Sequence, residues 1–134
     1  MSVNSELKFI NYGVPKFKAE INPKFDFKTK QNITLNPRFT RDIIKIDDKQ
    51  FQTQLTIVID NSEQDVPFNI EACIKGLFVL DDWQNPDNKD LVEITSTATL
   101  FPYLRSLVSN LSTMLNMPPY ILPLININEL FKQN

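Results

Sequence analysis

The sequence contains no histidine, one cysteine, two glycines and no apolar run long enough for a membrane helix. Each scarcity removes a class of chemistry. Without imidazole there is no Ser-His or Cys-His nucleophile pair and no histidine metal ligand. Cys73 alone cannot form an internal disulfide or a cysteine-rich zinc site, and a lone thiol in an apolar run suits a reducing compartment. Gly13 and Gly76 cannot build a phosphate-cradling loop. A spanning helix needs roughly 20 apolar residues in a row, and none are found. No catalytic group, metal site or cofactor site is therefore expected. A binding or structural role is.

What is present is ordinary for a folded chain, with 42% apolar and 22% charged residues. The 134 residues are expected to form a single domain, 1–134. In this size range a core buries roughly 65–70% of the surface the unfolded chain exposes. The net charge of -2 is unevenly spread: residues 1–46 carry +5 and residues 47–134 carry -7. A basic half can point to nucleic acid. Here Lys16, Lys18, Lys28 and Lys30 fall at strand spacing, which reads as a solvated sheet face, so no nucleic-acid partner is expected. Met1-Ser2-Val3-Asn4-Ser5-Glu6 lacks the basic and apolar regions of a signal peptide, so a cytoplasmic location is expected.

The first two-thirds of the chain read as strands. Lys16 to Ile21 alternates with period two. Ile33, Leu35, Phe39 and Ile43 share a face of a second run, in which Pro37 needs an edge or a bulge. Phe51, Leu55, Ile57 and Ile59 mark a third run. Val66, Phe68, Ile70, Ala72, Ile74, Phe78 and Leu80 mark a fourth, interrupted by Gly76. Short turns between runs favour an antiparallel meander. A polar loop from Asp81 to Asp90 holds the only Trp, Trp83. The period then changes: Leu100, Leu104, Leu107, Val108, Leu111, Met114 and Leu115 mark an amphipathic helix. Thr99 is the expected N-cap, with Pro102 in the first turn and Pro118-Pro119 ending the helix. A short last helix is expected through Glu129-Leu130-Phe131. Strands grouped first and helices last give an α+β fold, with helices over one sheet face.

The outer side of the long helix carries Ser106, Ser109, Asn110, Ser112 and Thr113, and Arg105 as its one charge. A solvated helix face usually shows Glu and Lys, so small polar residues mark either a helix-to-helix subunit contact or an exposed helix in a sequence rich in Asn and Ile. Asp47-Asp48 and Asp81-Asp82 lie in turns, where Asp serves local backbone needs. Apolar residues also stand outside the core pattern: Phe25 and Phe27 in a Lys-rich linker, and Tyr120 to Ile125 in a Pro-bounded stretch. Such segments either form an interaction surface or fold back onto the core.

Leu100-Phe101-Pro102-Tyr103-Leu104-Arg105 resembles the Leu-Phe-Pro-Tyr-x-Arg signature of the SecB chaperone family. Ile125-Asn126-Ile127-Asn128-Glu129-Leu130-Phe131 is similar to its Val-Asn-Phe-Asp-x-Leu-Phe segment, and Gly76-Leu77-Phe78 to its Gly-Ile-Phe. The resemblance implies a four-stranded antiparallel sheet with meander or Greek-key connections, one long and one short C-terminal helix, and a homotetramer built as a dimer of dimers. Long helices pack between dimers in that family, which places Ser106, Ser109, Asn110 and Thr113 in the oligomer interface. Members hold unfolded polypeptides in apolar grooves without ATP. By that likeness Phe25, Phe27, Tyr120, Leu122 and Leu124 line the client-binding groove. Export members dock on the SecA motor through an acidic surface on strands one and four. Glu71 matches the fourth-strand acid, whereas the first-strand positions are Val14 and Lys18, and Asn69 stands where the family has Leu.

Three functions follow. The first is an ATP-independent holdase for non-native polypeptides, in export if SecA is a partner. The second is a dedicated binding module for a single partner such as an antitoxin, without SecA delivery. The third is a carrier of a small apolar ligand or an enzyme, which needs Asp81, Asp82 and Glu93 to converge on the cleft.

Overall fold

The structure is a computed structural model that describes residues 6–26, 35–60, 65–122 and 131. Four strands form one antiparallel sheet: β1 (Lys8–Ile21), β2 (Arg38–Lys45), β3 (Gln50–Ile59) and β4 (Phe68–Val79). A helix, α1 (Ser96–Met114), follows. The expected short last helix falls outside the described residues. Among the described residues no helix is long and apolar enough to cross a membrane.

The sheet order is β1-β4-β3-β2. β2, β3 and β4 follow one another as a meander, and β1 lies beside β4, which makes the whole sheet the expected Greek key. β1 pairs with β4, so the chain crosses from one sheet edge to the other between β1 and β2. β1 is also longer than its alternating stretch, because the register shifts between Phe9 and Asn11 and between Gly13 and Lys16. Each bulge inserts residues that break the period of two, which hides the strand from a pattern search. Pro37 precedes Arg38, the first paired residue of β2, and so removes no ladder bond.

Alternation decides the core. On β3, Phe51, Thr53, Leu55, Ile57 and Ile59 are buried; on β4, Phe68, Ile70, Ala72, Ile74 and Phe78 are. These residues face α1, whose Leu100, Leu104, Val108 and Leu111 complete the layer. Thr53 is the one polar residue in that β3 row, and its hydroxyl meets Ser96 Oγ at 2.7 Å.

α1 starts earlier than the apolar period indicates. A π-helical turn, Leu91–Thr95, leads directly into Ser96. Thr99 is therefore inside the helix, where its hydroxyl donates to the Thr95 carbonyl (2.8 Å), and Pro102 is an interior residue. Ser96 and Thr97 likewise donate to the carbonyls of Val92 and Glu93. These back-bonds let poor helix formers occupy helical positions. The helix stops at Asn116, which is left-handed at φ 63°. Asn116 N donates to Thr113 O and Met117 N to Ser112 O, a Schellman ending that precedes the two prolines.

Trp83 is not in open polar loop. Its ring lies 5.1 Å from that of Phe51, and its Nε1 donates to Asp47 O at 2.8 Å. The 81–85 segment is thereby tied to the β2–β3 turn.

Candidate functional site

Two apolar regions flank the α1 side of the sheet. The first surrounds Phe68. Asn22 organises it: its side chain donates to Val66 O (2.8 Å), its backbone N–H donates to Pro67 O (2.9 Å), and its carbonyl accepts from Phe25 N (3.2 Å). The turn folds Phe25 back until only 5% of it is exposed. From the opposite side, Ser112 Oγ accepts the Tyr120 N–H at 2.8 Å and donates to Ser109 O. That anchor sets the Tyr120 ring 6.3 Å from Phe68 and leads Leu122 into the core.

Among the residues expected to line a groove, Tyr120 is half-buried, while Phe25 and Leu122 form buried floor. Phe27 and Leu124 lie outside the described residues. Burial pushes the Tyr120 phenol above its ordinary value of 10.0, because the charged form loses hydration.

Sequence reasoning missed the rim of this region. Phe17 and Ile21 pair across from Ala72 and Phe68, so they belong to the core face of β1. α1 lies over β4 and β3 and leaves them open, with Phe17 55% exposed. Ile121, next to Tyr120, is 65% exposed. Alternation reports which face a residue is on, not whether a helix reaches over it.

The second region is a groove of about 450 Å³ beside β2, lined by Ile43, Lys45, Trp83, Pro86, Lys89 and Val92. β2 is an edge strand, so its outer backbone groups border this groove.

α1 also has an uncovered stripe. Ser106, Asn110 and Thr113 are exposed and Ser109 is half-buried. They lie at helical spacing with Tyr103 and Met114, which is 74% exposed. Ser112 is not on this stripe; it is fully buried as the anchor for Tyr120. Arg105, the single charge of α1, keeps Nε buried without a hydrogen-bond partner among the described residues.

On the opposite face of the sheet, Glu71 pairs with Lys18 in register and forms an ion pair with Lys16 at 3.1 Å. The acids needed for the enzyme reading do not converge. Asp81 and Asp82 are exposed, and Glu93 faces Arg41, whose Nη1 donates to Glu93 O at 3.0 Å.

Comparison with known proteins fits this architecture. The sequence profile of the SecB family, preprotein translocase subunit SecB, matches residues 16–134. An uncharacterized protein of Methanocaldococcus jannaschii is 31% identical over 90% of the chain and 79% of its own length. Protein-export protein SecB of Psychrobacter cryohalolentis is 26% identical over 91% of the chain and 75% of its own length. Among solved structures, a SecB-like chaperone of Mycobacterium tuberculosis, in complex with a ChAD peptide from the HigA1 antitoxin, superposes with a TM-score of 0.72. It is 20% identical, over 89% of this chain and 90% of that one.

Proposed function

We propose that this chain, which belongs to the SecB family of chaperones and is not an enzyme, holds non-native polypeptides without ATP on the apolar surface around Phe68 and along β2. The observation that carries this reading is the uncovered apolar surface: Phe17 and Ile21 stand exposed on β1, Ile21 paired with Phe68, whose ring meets half-buried Tyr120, and Ile121 is exposed next to Tyr120. Water contact at such a rim is unfavourable, and burial recovers about 25 cal/mol per Å² of apolar surface. Each subsite is shallow, so each contributes weakly, and several acting together supply the affinity. Among the described residues no strand pairs with the outer edge of β2, which offers backbone groups to an extended client, with side chains entering the adjoining groove. Phe25 and Leu122 support the surface from below; Phe27 and Leu124 belong to the same two segments.

The chain is proposed to act as a homotetramer in the cytoplasm. The α1 stripe of Tyr103, Ser106, Ser109, Asn110, Thr113 and Met114 supports this, since small polar residues allow close helix approach and two apolar side chains reward it. Light scattering should give about four times the 15.5 kDa chain mass.

The deciding experiment is suppression of aggregation of a chemically denatured test protein. The chain should suppress it at stoichiometric tetramer, and Ile121→Glu with Phe17→Glu should not, while keeping the native circular dichroism. Wild-type chain without effect at several-fold excess refutes the holdase reading.

A second reading, one dedicated partner such as an antitoxin without SecA delivery, is favoured by the Lys16–Glu71 ion pair. It neutralises the acid that matches the SecA-docking surface. Coexpression and pull-down separate the two: one stoichiometric partner supports dedication, and a broad set of unfolded chains supports general holding.

A further inference from the structure

The sheet face turned away from α1 carries a separate feature. The two bulges of β1 interrupt its pairing with β4 on either side of Asn11–Gly13. A shallow depression lies there, lined by Asn11, Gly13, Val14, Gln52, Lys75 and Leu77 among others, and among the described residues Lys75 is its only charged side chain. Gly13 leaves it open, for nothing lies within 4 Å of where a Cβ would stand.

Register shows which charges surround it. Gly13 pairs with Lys75, Lys16 with Cys73 and Lys8 with Val79, so all three lysines share this face. Neighbouring same-face positions along a strand are about 7 Å apart. Lys8 and Lys16 are exposed and Lys75 is half-buried. The acids on the β1–β4 part of this face, Glu71 and Glu20, lie beyond Lys16, and Glu71 is already paired with it. Among the described residues no carboxylate pairs with Lys75 or Lys8. Farther along the same face, Asn69 Oδ1 is buried and has no donor among the described residues.

We infer that this depression is a docking seat for an acidic, extended segment of a partner polypeptide. One carboxylate enters beside Lys75, with Leu77 and Val14 packing its stem. Acids at alternate positions on the same segment meet Lys8 and Lys16, because an extended chain repeats at the spacing of the strand beneath it. A half-buried lysine facing an acid-free depression favours an anion, and flanking lysines steer it there. The seat is on the far side of the sheet from the client surface, so it does not rest on the holdase reading.

The test uses the full chain and two labelled 12-residue peptides, one alternating Glu with Ser and one alternating Lys with Ser. Fluorescence anisotropy should show the Glu peptide binding at least about tenfold tighter at low salt, a preference that salt screens. Lys8→Glu with Lys75→Glu should abolish the preference, Lys75→Arg should retain it, and aggregation suppression should not change. If the Glu variant is not folded, Lys8→Gln with Lys75→Gln should still lower the preference severalfold. Equal binding of the two peptides, or an unchanged preference in a folded Glu or Gln variant, overturns the proposal. So does a change of molar mass in the Glu variant, which would make this face an interface between copies. Displacement of the Glu peptide by a single-stranded DNA 20-mer at lower concentration would assign the seat to nucleic acid and also overturn it.

Discussion

Gly76 of β4 lies directly beneath Leu100 of α1: a Cβ at Gly76 would stand 2.6 Å from Leu100 Cδ2 and 3.1 Å from Phe78 Cε2. The glycine interrupts an apolar strand because the Leu100 side chain fills the space that a Cβ would take. Its backbone has no positive φ, so the requirement is space alone. Gly76→Ala should lower stability by about 1–3 kcal/mol through overpacking, read as a shift of the urea midpoint. Leu100 is fully buried and has little room to yield. An unchanged midpoint would mean that the helix can lift from the sheet.

The buried hydroxyl pair of Thr53 and Ser96 predicts an asymmetry. Ser96 Oγ donates to Val92 O and accepts from Thr53. Thr53→Val removes the outer donor and leaves Ser96 satisfied, so it should cost under about 1 kcal/mol. Ser96→Ala strands the Thr53 hydroxyl in the core and should cost about 1–3 kcal/mol. Thermal unfolding of the two variants checks the order.

Ser112→Ala should free the segment that carries Tyr120 and Leu122. The hydroxyl makes both the bond from Tyr120 N and the bond to Ser109 O. The expected result is a loss of about 1 kcal/mol and faster proteolysis after Tyr120. Client capture should weaken as well, because the rim loses its anchor.

Tyr120 also predicts a response to alkali. Its folded-state value is raised above the unfolded 10.0 by burial. The neutral phenol is the form the fold prefers, so its contribution is fully present below pH 10. It is lost as pH rises through the unfolded value toward the raised folded one. Tyr120→Phe should flatten this part of the stability curve. Ultraviolet titration of the phenols, with and without the substitution, measures it.

Arg41 holds Phe131 against the sheet. Its guanidinium donates to Glu93 O and lies 4.4 Å from the centre of the Phe131 ring. Arg41→Gln keeps a donor but loses the cation over the ring. It should cost about 1 kcal/mol and raise hydrogen exchange near Phe131 while sparing β3 and β4.

How much of this was legible varies by element. β3 and β4 are legible because one face of each is buried along its length and alternates strictly, broken only where Gly76 makes room for Leu100. β1 was half seen, since its bulges break the period. The apolar period starts α1 at Thr99, whereas Ser96, Thr97 and Thr99 bond back to earlier carbonyls and continue a helix that propensity disfavours. Of the residues the two linkers suggest, Phe25 and Leu122 are buried, while exposed Phe17 and Ile21 share the alternation of core residues and cannot be told from them by pattern.

Sequence alone determined the composition limits, the α+β order, the two central strands and the family signature at Leu100–Arg105. These depend on residue type and on spacing along the chain, which local physics reads directly. Only the tertiary structure decided that β1 joins β4, that the helix leaves Phe17 and Ile21 open, and that Lys75 faces an acid-free depression. Those facts depend on which segments meet across dozens of residues. Pairing and coverage are set by the packing of the whole core, not by any stretch of sequence taken singly.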